Sequence, residues 1–549
     1  MRNKRKKLLA AVSLVSILSL QSCGNVVQQA DSMPTEHTIS RNDSTDNKNS
    51  TSSDGLEINK VDSENDSVSV FGDAVVTTDV NGESGKSTTV SVNGITTAEK
   101  SSETKPAVVI TASAVQTTKP VVTVPVPAPS IMRGNLYDCD GTLLMYSEKD
   151  ASGKEQRMTN DANKVAFANV LNEMSEGLDK VYDRKLRTQN PTPVGDTKTG
   201  QSIQLTFDAD IQNAIYNYME NTGIIGSAVV MRSDGSLMAE VSYPSYNPDD
   251  YYGIKTEEDL AWGNYGNKAF QNFPPGSCFK IMSEVISDKH GIYSLYDEGT
   301  WYYDGTSIVN WDHDTNWNYP IAERSLYSAF TNSSNIFFAR SFDTIGKEAV
   351  LSDLEKIFHF VSDIDCDFGT ISNNIEIYCN DDLRRSAFGQ SYVMTCPIYL
   401  AALGREAVFG DMVKPFTIKN IVDTNNVNTV IGAGSKDHDV IGTIPVDYRQ
   451  NLLDGMTGVG GNLGIYVPSG YKFYAKTGTA ETWEGDFLYI TGVLKNVNDD
   501  GTKKYSDYSN YSDSYIIVTQ FRNPQAFGFN FASESASLYQ GIVNCVVGQ

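Results

Sequence analysis

Between Gly24 and about Ser130 the chain carries too little apolar surface to fold. Ser, Thr, Asn, Asp and Val follow one another in irregular order, with few aromatics and no sustained period. The stretch closes on Lys119-Pro120-Val121-Val122-Thr123-Val124-Pro125-Val126-Pro127-Ala128-Pro129, whose prolines favour an extended spacer. Val-rich patches within 107–126 have strand propensity, but a tether is the expectation. A packed core must therefore be built from the residues C-terminal to this tether.

Ahead of the tether, Met1-Arg2-Asn3-Lys4-Arg5-Lys6-Lys7 is cationic, and Leu8 to Leu20 is an apolar run too short to span a bilayer comfortably. This is the pattern of an export signal over residues 1–22. Its end, Leu20-Gln21-Ser22-Cys23-Gly24, resembles a bacterial lipoprotein cleavage box, which makes Cys23 the expected lipidated N-terminus. Residues 23–131 then form a lipidated linker, and the expected location is the extracytoplasmic face of a bacterial membrane.

Foldable sequence starts at Arg133. Asp140-Gly141 between two apolar runs predicts a hairpin, and residues 161–182 predict a helix before a polar link over 189–200. A small domain is expected at 132–201 and a larger one at 202–549. The larger one opens with a strand at 202–208 and a helix at 210–221 in which Ile211, Ile215 and Met219 recur every four residues. Residues 228–231 and 236–242 read as a hairpin across Ser233-Asp234-Gly235. Residues 323–340 and 350–358 read as helical, and 395–408 as a buried helix. The runs 471–479, 487–494 and 515–520 alternate as strands before a closing helix at 533–547. Helices among an antiparallel sheet define an α+β fold.

The formal charge of -24 argues against a nucleic-acid binder, which needs a basic face. The seven cysteines contain no C-x-x-C pair, and the five histidines form no ligand set, so no metal or other cofactor is expected. Cys366 and Cys379 are a plausible disulfide pair in an exported chain.

Chemistry concentrates at Pro274-Pro275-Gly276-Ser277-Cys278-Phe279-Lys280. The turn residues precede apolar positions 281, 282, 285 and 286, so Ser277 opens a helix and Lys280 lies one turn on, within reach of its hydroxyl. Ser102-x-x-Lys105 and Ser469-x-x-Lys472 share the spacing, so later motifs must discriminate. Ser333-Ser334-Asn335 falls in a helical stretch and Lys476-Thr477-Gly478-Thr479 on a strand. Lys198-Thr199-Gly200, Ser245-x-Asn247 and Ser372-x-Asn374 repeat them in other settings.

A serine hydroxyl needs a base, and no Gly-x-Ser-x-Gly elbow is present. Lys280 qualifies if burial and a second cation, Lys476, depress its pKa. Asn335 suits a substrate carbonyl and the Lys280 amine, and Ser333 suits proton transfer to a departing amine. Thr477 and Thr479 offer hydroxyls to a substrate carboxylate, while Gly478 lets a backbone lie close. The N–H groups of Ser277 and Thr479 are the candidate oxyanion donors.

Ser277-x-x-Lys280, Ser333-x-Asn335 and Lys476-Thr477-Gly478 together resemble the motifs of penicillin-binding proteins and serine β-lactamases. The flanking sequence resembles class B penicillin-binding proteins in particular. Arg133-Gly134-x-Leu136-Tyr137-Asp138-x-Asp140-Gly141 is similar to the entry of that family's pedestal. Leu205-Thr206-Phe207-Asp208, Pro244-Ser245-Tyr246-Asn247-Pro248 and Gly389-Gln390 with Thr395-Cys396-Pro397 are similar to its later landmarks. The resemblance implies a pedestal at 132–201, short for the class, and a penicillin-binding, serine β-lactamase-like transpeptidase domain at 202–549.

The implied activity is peptidoglycan D,D-transpeptidation through a Ser277 acyl-enzyme that β-lactams inhibit. Peptidoglycan stem peptides, a glycan polymerase and the membrane are the implied partners. Catalytic Ser277, Lys280, Ser333, Asn335 and Lys476 would be joined by substrate-binding Thr477, Gly478 and Thr479. No glycan polymerisation is expected. Cys278 stands where the family more usually has threonine. The alternatives are a D,D-carboxypeptidase, a β-lactamase using Glu376 and Asn380, and a non-enzymatic β-lactam sensor.

Overall fold

Apolar patterning and turn residues give each element, and in the computed structural model the described residues form two main sheets, of six and five strands, besides four two-stranded ones, with helices packed around the five-stranded sheet. The structure describes residues 131–172, 177–194, 198–249, 265–313, 320–482, 485–502, 513–522 and 524–548. The export signal, Cys23 and the linker lie outside the described residues.

The first strands are β1 (Leu136–Tyr137), β2 (Leu143–Lys149) and β3 (Glu155–Thr159). Between β1 and β2 the Asp138 carboxylate accepts from the N–H groups of Asp140 and Thr142 at 3.0 and 2.7 Å, which closes the expected hairpin. The helix expected at 161–182 is instead broken into turns and two short pieces, Ala168–Leu171 and Leu178–Val181. A Cβ on Gly177 would lie 2.4 Å from the Val170 carbonyl oxygen, a contact that a continuous helix through both residues does not make.

Next come β4 (Ser202–Leu205), helix α1 (Ala209–Thr222), β5 (Gly226–Arg232) and β6 (Leu237–Tyr243). Asp208 caps α1 by accepting from Asp210 and Ile211, and Gly223 ends it in a left-handed conformation. After a 3-10 turn at Gly276–Phe279 come α2 (Lys280–Lys289), α3 (Leu326–Thr331), α4 (Asn335–Ile345) and α5 (Pro397–Phe409). The chain then forms β7 (Ile418–Asp423), β8 (Asn426–Ala433), α6 (Val446–Leu463), β9 (Tyr471–Ala480), β10 (Phe487–Asn496), β11 (Tyr515–Arg522) and α7 (Ala536–Val547).

The six-stranded N-terminal sheet has the order β8-β7-β4-β1-β2-β3, with β1 and β4 parallel and the other pairs antiparallel. It therefore completes the N-terminal strands with β4, β7 and β8, all from beyond residue 201. The boundary expected at 202 falls inside this sheet. Neither the β7–β8 hairpin nor α6 stood out from the sequence, because Asn-, Thr- and Gly-rich runs carry weak periodicity.

The five-stranded central sheet is antiparallel throughout, in the order β9-β10-β11-β5-β6. Nine of the ten residues of β10 are buried, so this strand is covered on both faces. On one face α5 comes close at Gly404, where a Cβ would meet Thr491, Ile516 and Val493 methyl groups at 3.0 to 3.5 Å. On the other, Tyr539 of α7 lies over Gly492 and donates to the Ile517 carbonyl oxygen at 3.1 Å. At about 25 cal/mol per Å² of apolar surface, such two-sided burial makes this sheet the stable frame of the molecule. Its edge strand β9 faces the start of α2.

Candidate active site

Gly276 adopts φ +53, and its N–H donates to the Gly389 carbonyl oxygen at 3.1 Å. This positive-φ turn starts the 3-10 segment that carries Ser277 into α2. The helix is buried well beyond its apolar face: Lys280, Ser283, Glu284, Ser287 and Asp288 are buried along with Ile281, Met282, Val285 and Ile286.

The Lys280 amine lies 2.9 Å from Ser277 Oγ, 2.6 Å from the Ser333 carbonyl oxygen, 3.1 Å from Ser333 Oγ and 2.7 Å from Asn335 Oδ1. The two carbonyl-type oxygens can only accept. A neutral amine with two N–H groups satisfies them and keeps its lone pair for a hydroxyl. Ser277 Oγ is one of the two hydroxyls within reach, so the geometry suits proton abstraction from it.

Lys476 Nζ donates to Ser333 Oγ at 3.0 Å and to the Thr477 carbonyl oxygen at 3.0 Å. Ser333 Oγ thus sits between two amines. Burial, followed by the like charge of Lys476, holds Lys280 well below the usual lysine range, while Asp297 and the Cys278 thiol push it partly back up. Burial pushes Lys476 down to about 8. Among the groups acting on Lys280, desolvation outweighs the like-charge effect.

The helix expected across 323–340 breaks in the middle. Residues Ala322–Ser325 form a short strand, and α3 and α4 are separated by a turn in which Ser333 adopts φ +56. Ser334 caps α4, its Oγ accepting from the Phe337 N–H at 3.0 Å. The break aims Ser333 and Asn335 at Lys280, which a continuous helix would not do.

Strand β9 lies hard against the 275–278 turn. A Cβ on Gly478 would fall 2.6 Å from the Pro275 carbonyl oxygen, 2.9 Å from Cys278 Sγ and 3.0 Å from the Cys278 nitrogen. That close approach explains glycine at the third position of Lys-Thr-Gly more directly than access for a substrate. Thr477 and Thr479 are half-buried on this strand, and Thr479 Oγ1 accepts from the Ala532 N–H at 3.2 Å. The buried Cys278 thiol donates to the Lys476 carbonyl oxygen at 3.5 Å and accepts from Thr491 Oγ1 at 3.6 Å, joining the Ser277 turn to two strands.

Ser277, Lys280, Ser333, Asn335 and Lys476 are thus brought together, with Thr477, Gly478 and Thr479 beside them. The repeated motifs are not. Ser469 and Lys472 lie at the exposed far end of β9, and Ser245 Oγ donates to the Val165 carbonyl oxygen. Lys198-Thr199-Gly200 lies beside the six-stranded N-terminal sheet, where Met132 bridges Thr199. Ser102 and Lys105 lie outside the described residues. Glu376 is exposed and accepts from the Tyr378 hydroxyl. Cys366 and Cys379 are free thiols. Among the described residues no group of three His, Cys, Asp or Glu side chains is arranged to hold a metal, and no helix is long and apolar enough to cross a membrane.

Sequence reasoning missed Asp297, Asn310 and Trp311. They contact the Ser333 turn from a Trp- and Tyr-rich segment with no motif of its own. Trp311 Nε1 donates to the Asn332 carbonyl oxygen at 3.0 Å, and its ring meets Phe531 edge-on at 4.9 Å between centroids.

Residues 226–489 match the family described as penicillin binding protein transpeptidase domain. A relative named peptidoglycan D,D-transpeptidase FtsI homolog from Chlorokybus atmophyticus is 26% identical over 244 residues, covering 40% of this chain and 35% of that protein. One of the same name from Mesostigma viride is 23% identical over 305 residues, covering 48% and 50%. The chain therefore spans only a third to a half of the length of these relatives. Among solved structures, penicillin-binding protein A from M. tuberculosis superposes with a TM-score of 0.62 at 18% identity, over 76% of this chain and 99% of that one. The D,D-transpeptidase domain of a peptidoglycan glycosyltransferase from Eggerthella lenta gives 0.59 at 18% identity, over 76% and 99%. At these identities the superpositions establish a shared fold.

Proposed function

We infer that this chain, which carries the transpeptidase domain of the penicillin-binding proteins, is a class B member that cross-links peptidoglycan stem peptides. The observation that carries this reading is the Lys280 amine, held within hydrogen-bond distance of Ser277 Oγ, Ser333 Oγ and Asn335 Oδ1. The names of the curated relatives point the same way.

In the proposed reaction Lys280, neutral, takes the Ser277 hydroxyl proton as Oγ attacks the carbonyl between the last two D-alanines of a stem. The N–H groups of Ser277 and Thr479 hold the oxyanion, and the loss of one such donor typically costs ~10²–10³ in rate. As the C–N bond breaks, the proton moves from Lys280 through Ser333 Oγ to the departing D-alanine amine, leaving an ester on Ser277. Lys476 keeps the Ser333 hydroxyl oriented. Asn335 holds the Lys280 amine and the donor carbonyl, while Thr477 and Thr479 take the substrate carboxylate. An amine of a neighbouring stem then attacks the ester, gives up its proton by the reverse path, and releases Ser277 with a new amide.

A β-lactam presents a strained amide to the same serine and acylates it. Glu376 bonds to Tyr378 and not to any of these residues, which argues against a β-lactamase whose deacylation it would drive. Water as the acceptor would make the enzyme a carboxypeptidase.

The N-terminal pattern supports export and attachment through Cys23 to the outer face of the membrane, with residues 23–131 spanning part of the wall. The strands from 136–159 and their partners form the pedestal. A glycan polymerase supplying nascent strands is the proposed protein partner.

Fluorescent penicillin tests the assignment. A stable label on the wild-type protein that is lost in Ser277→Ala is expected. Absence of label on the wild type would overturn any acyl-enzyme mechanism, and rapid release of label would favour the β-lactamase.

A further inference from the structure

The Ser333 turn is held from outside its own sequence by a clasp of three consecutive residues. The Val309 carbonyl oxygen accepts from Asn335 Nδ2 at 2.9 Å. Asn310 Oδ1 accepts from the backbone N–H groups of Asn335 at 2.7 Å and Ile336 at 3.2 Å. The Trp311 indole donates to the Asn332 carbonyl oxygen at 3.0 Å. Asn310 therefore does what a cap does for α4, supplying an acceptor to N–H groups that have no partner within the helix.

Behind the clasp lies Asp297, fully buried. Its carboxylate accepts from Asn310 Nδ2 at 2.8 and 2.9 Å, from Ser334 Oγ at 2.7 Å and from the Gly299 N–H at 3.0 Å, and it pairs with Arg324 at 2.8 Å. Both Asn310 and Ser334 are thereby locked in one orientation. The amide of Asn310 has no rotational choice left: its NH2 is fixed on Asp297, so its oxygen must face α4. The turn it holds includes Ser333 at φ +56, a conformation that costs a non-glycine residue energy unless its surroundings impose it.

We infer that Asn310, oriented by Asp297, is a positioning residue for acylation, setting Ser333 and Asn335 against the Lys280 amine. The inference rests on the reading of Ser277 as an acylated nucleophile. Asp297 acts in a second way, because its negative charge partly offsets the burial and the Lys476 charge that lower Lys280. The charged and titratable groups acting on Lys280 are thus Lys476, Asp297 and the Cys278 thiol, and Arg324 faces Asp297.

The experiment compares wild type, Asn310→Ala and Asp297→Asn in penicillin acylation from pH 5 to 9, with thermal melts and hydrogen exchange on the same proteins. Asn310→Ala should lower the maximal acylation rate about 100-fold, the usual consequence of misplacing a catalytic group by about an ångström, without moving the acid limb. Asp297→Asn keeps the side-chain shape and removes the charge that raises Lys280, so its acid limb should move to lower pH. In Asn310→Ala the amides of Asn335 and Ile336 should exchange faster. Acylation within threefold of wild type in Asn310→Ala, or unchanged exchange of the Asn335 and Ile336 amides in that variant, would overturn the inference. A wild-type protein that never labels would remove the acyl-enzyme reading instead. Exchange at Asn335 and Ile336 would then still decide whether Asn310 holds the turn.

Discussion

A Cβ placed on Gly276 would lie 2.4 Å from the Thr479 carbonyl oxygen, and Gly276 itself adopts φ +53. The residue before Ser277 is thus pressed against the residue after Lys-Thr-Gly, and the two motifs define each other's position. Gly276→Ala meets both the contact and the conformational cost. It should lower stability by about 1–3 kcal/mol and acylation by at least about 100-fold, as the turn moves off β9. Thermal melts and labelling rates check this, and near-native acylation in a folded variant would contradict it.

The pH dependence of acylation is set by the two lysines. In the proposed mechanism Lys280 must be neutral to accept a proton, and its pKa lies well below the ordinary 10.5, so the rate should rise through an acid limb that lies well below that of an ordinary lysine. Lys476 lowers Lys280 by like-charge repulsion. Removing that charge in Lys476→Ala raises the Lys280 pKa, so the acid limb should shift to higher pH. Single-turnover rates from pH 5 to 9 decide the sign, and a shift to lower pH would contradict the assignment.

Lys476 is fully buried and pushed down to about 8, so keeping it charged at pH 7 costs folding free energy. Because its folded pKa lies below the unfolded value, the folded protein binds fewer protons between about 8 and 10.5, and this contribution to stability improves as pH rises through that window. Lys476→Met removes the cost. It should raise the melting temperature at pH 7, corresponding to roughly 1–3 kcal/mol, while acylation falls by several orders of magnitude. A variant that is less stable would show that the amine's hydrogen bonds outweigh its desolvation.

Cys278 is buried, and burial raises its thiol pKa, so little thiolate is present at neutral pH. Alkylating reagents should modify it only after denaturation and should leave penicillin labelling of the native protein intact. Peptide mapping after brief iodoacetamide treatment tests this, and rapid native modification would indicate an opening of the site.

Glu376 is exposed and bonded to Tyr378, away from the Lys280 cluster. Glu376→Ala should leave the lifetime of the penicilloyl-enzyme within about twofold of wild type. A markedly longer lifetime would give Glu376 a role in deacylation after all.

Much of this architecture was readable in the chain. The strands expected at 471–479, 487–494 and 515–520 are present and run one or two residues further, to Ala480, Asn496 and Arg522, and the Asp138-to-Thr142 and Ser233-to-Gly235 turns carry the residues such turns need. The helix expected across 323–340 misled because local propensity favours continuity, whereas contacts with Asp297, Asn310 and Trp311 hold a break at Ser333. The β7–β8 hairpin was missed for the opposite reason: its partner strand β4 lies about two hundred residues earlier, and its own pattern is weak.

The sequence by itself determined the reactive groups, their order, and the helix start, turn and strand that carry them, because these depend on side-chain chemistry and on periodicity over a few residues. Only the tertiary structure decided which serine and which lysines meet. Ser277, Ser333 and Lys476 come from three separate segments that packing brings to one amine cluster. Burial then sets the chemistry. The depression of Lys280 arises from many atoms of distant segments excluding water around one amine, with Lys476 and Asp297 adjusting the result, and that environment exists only once the chain has packed.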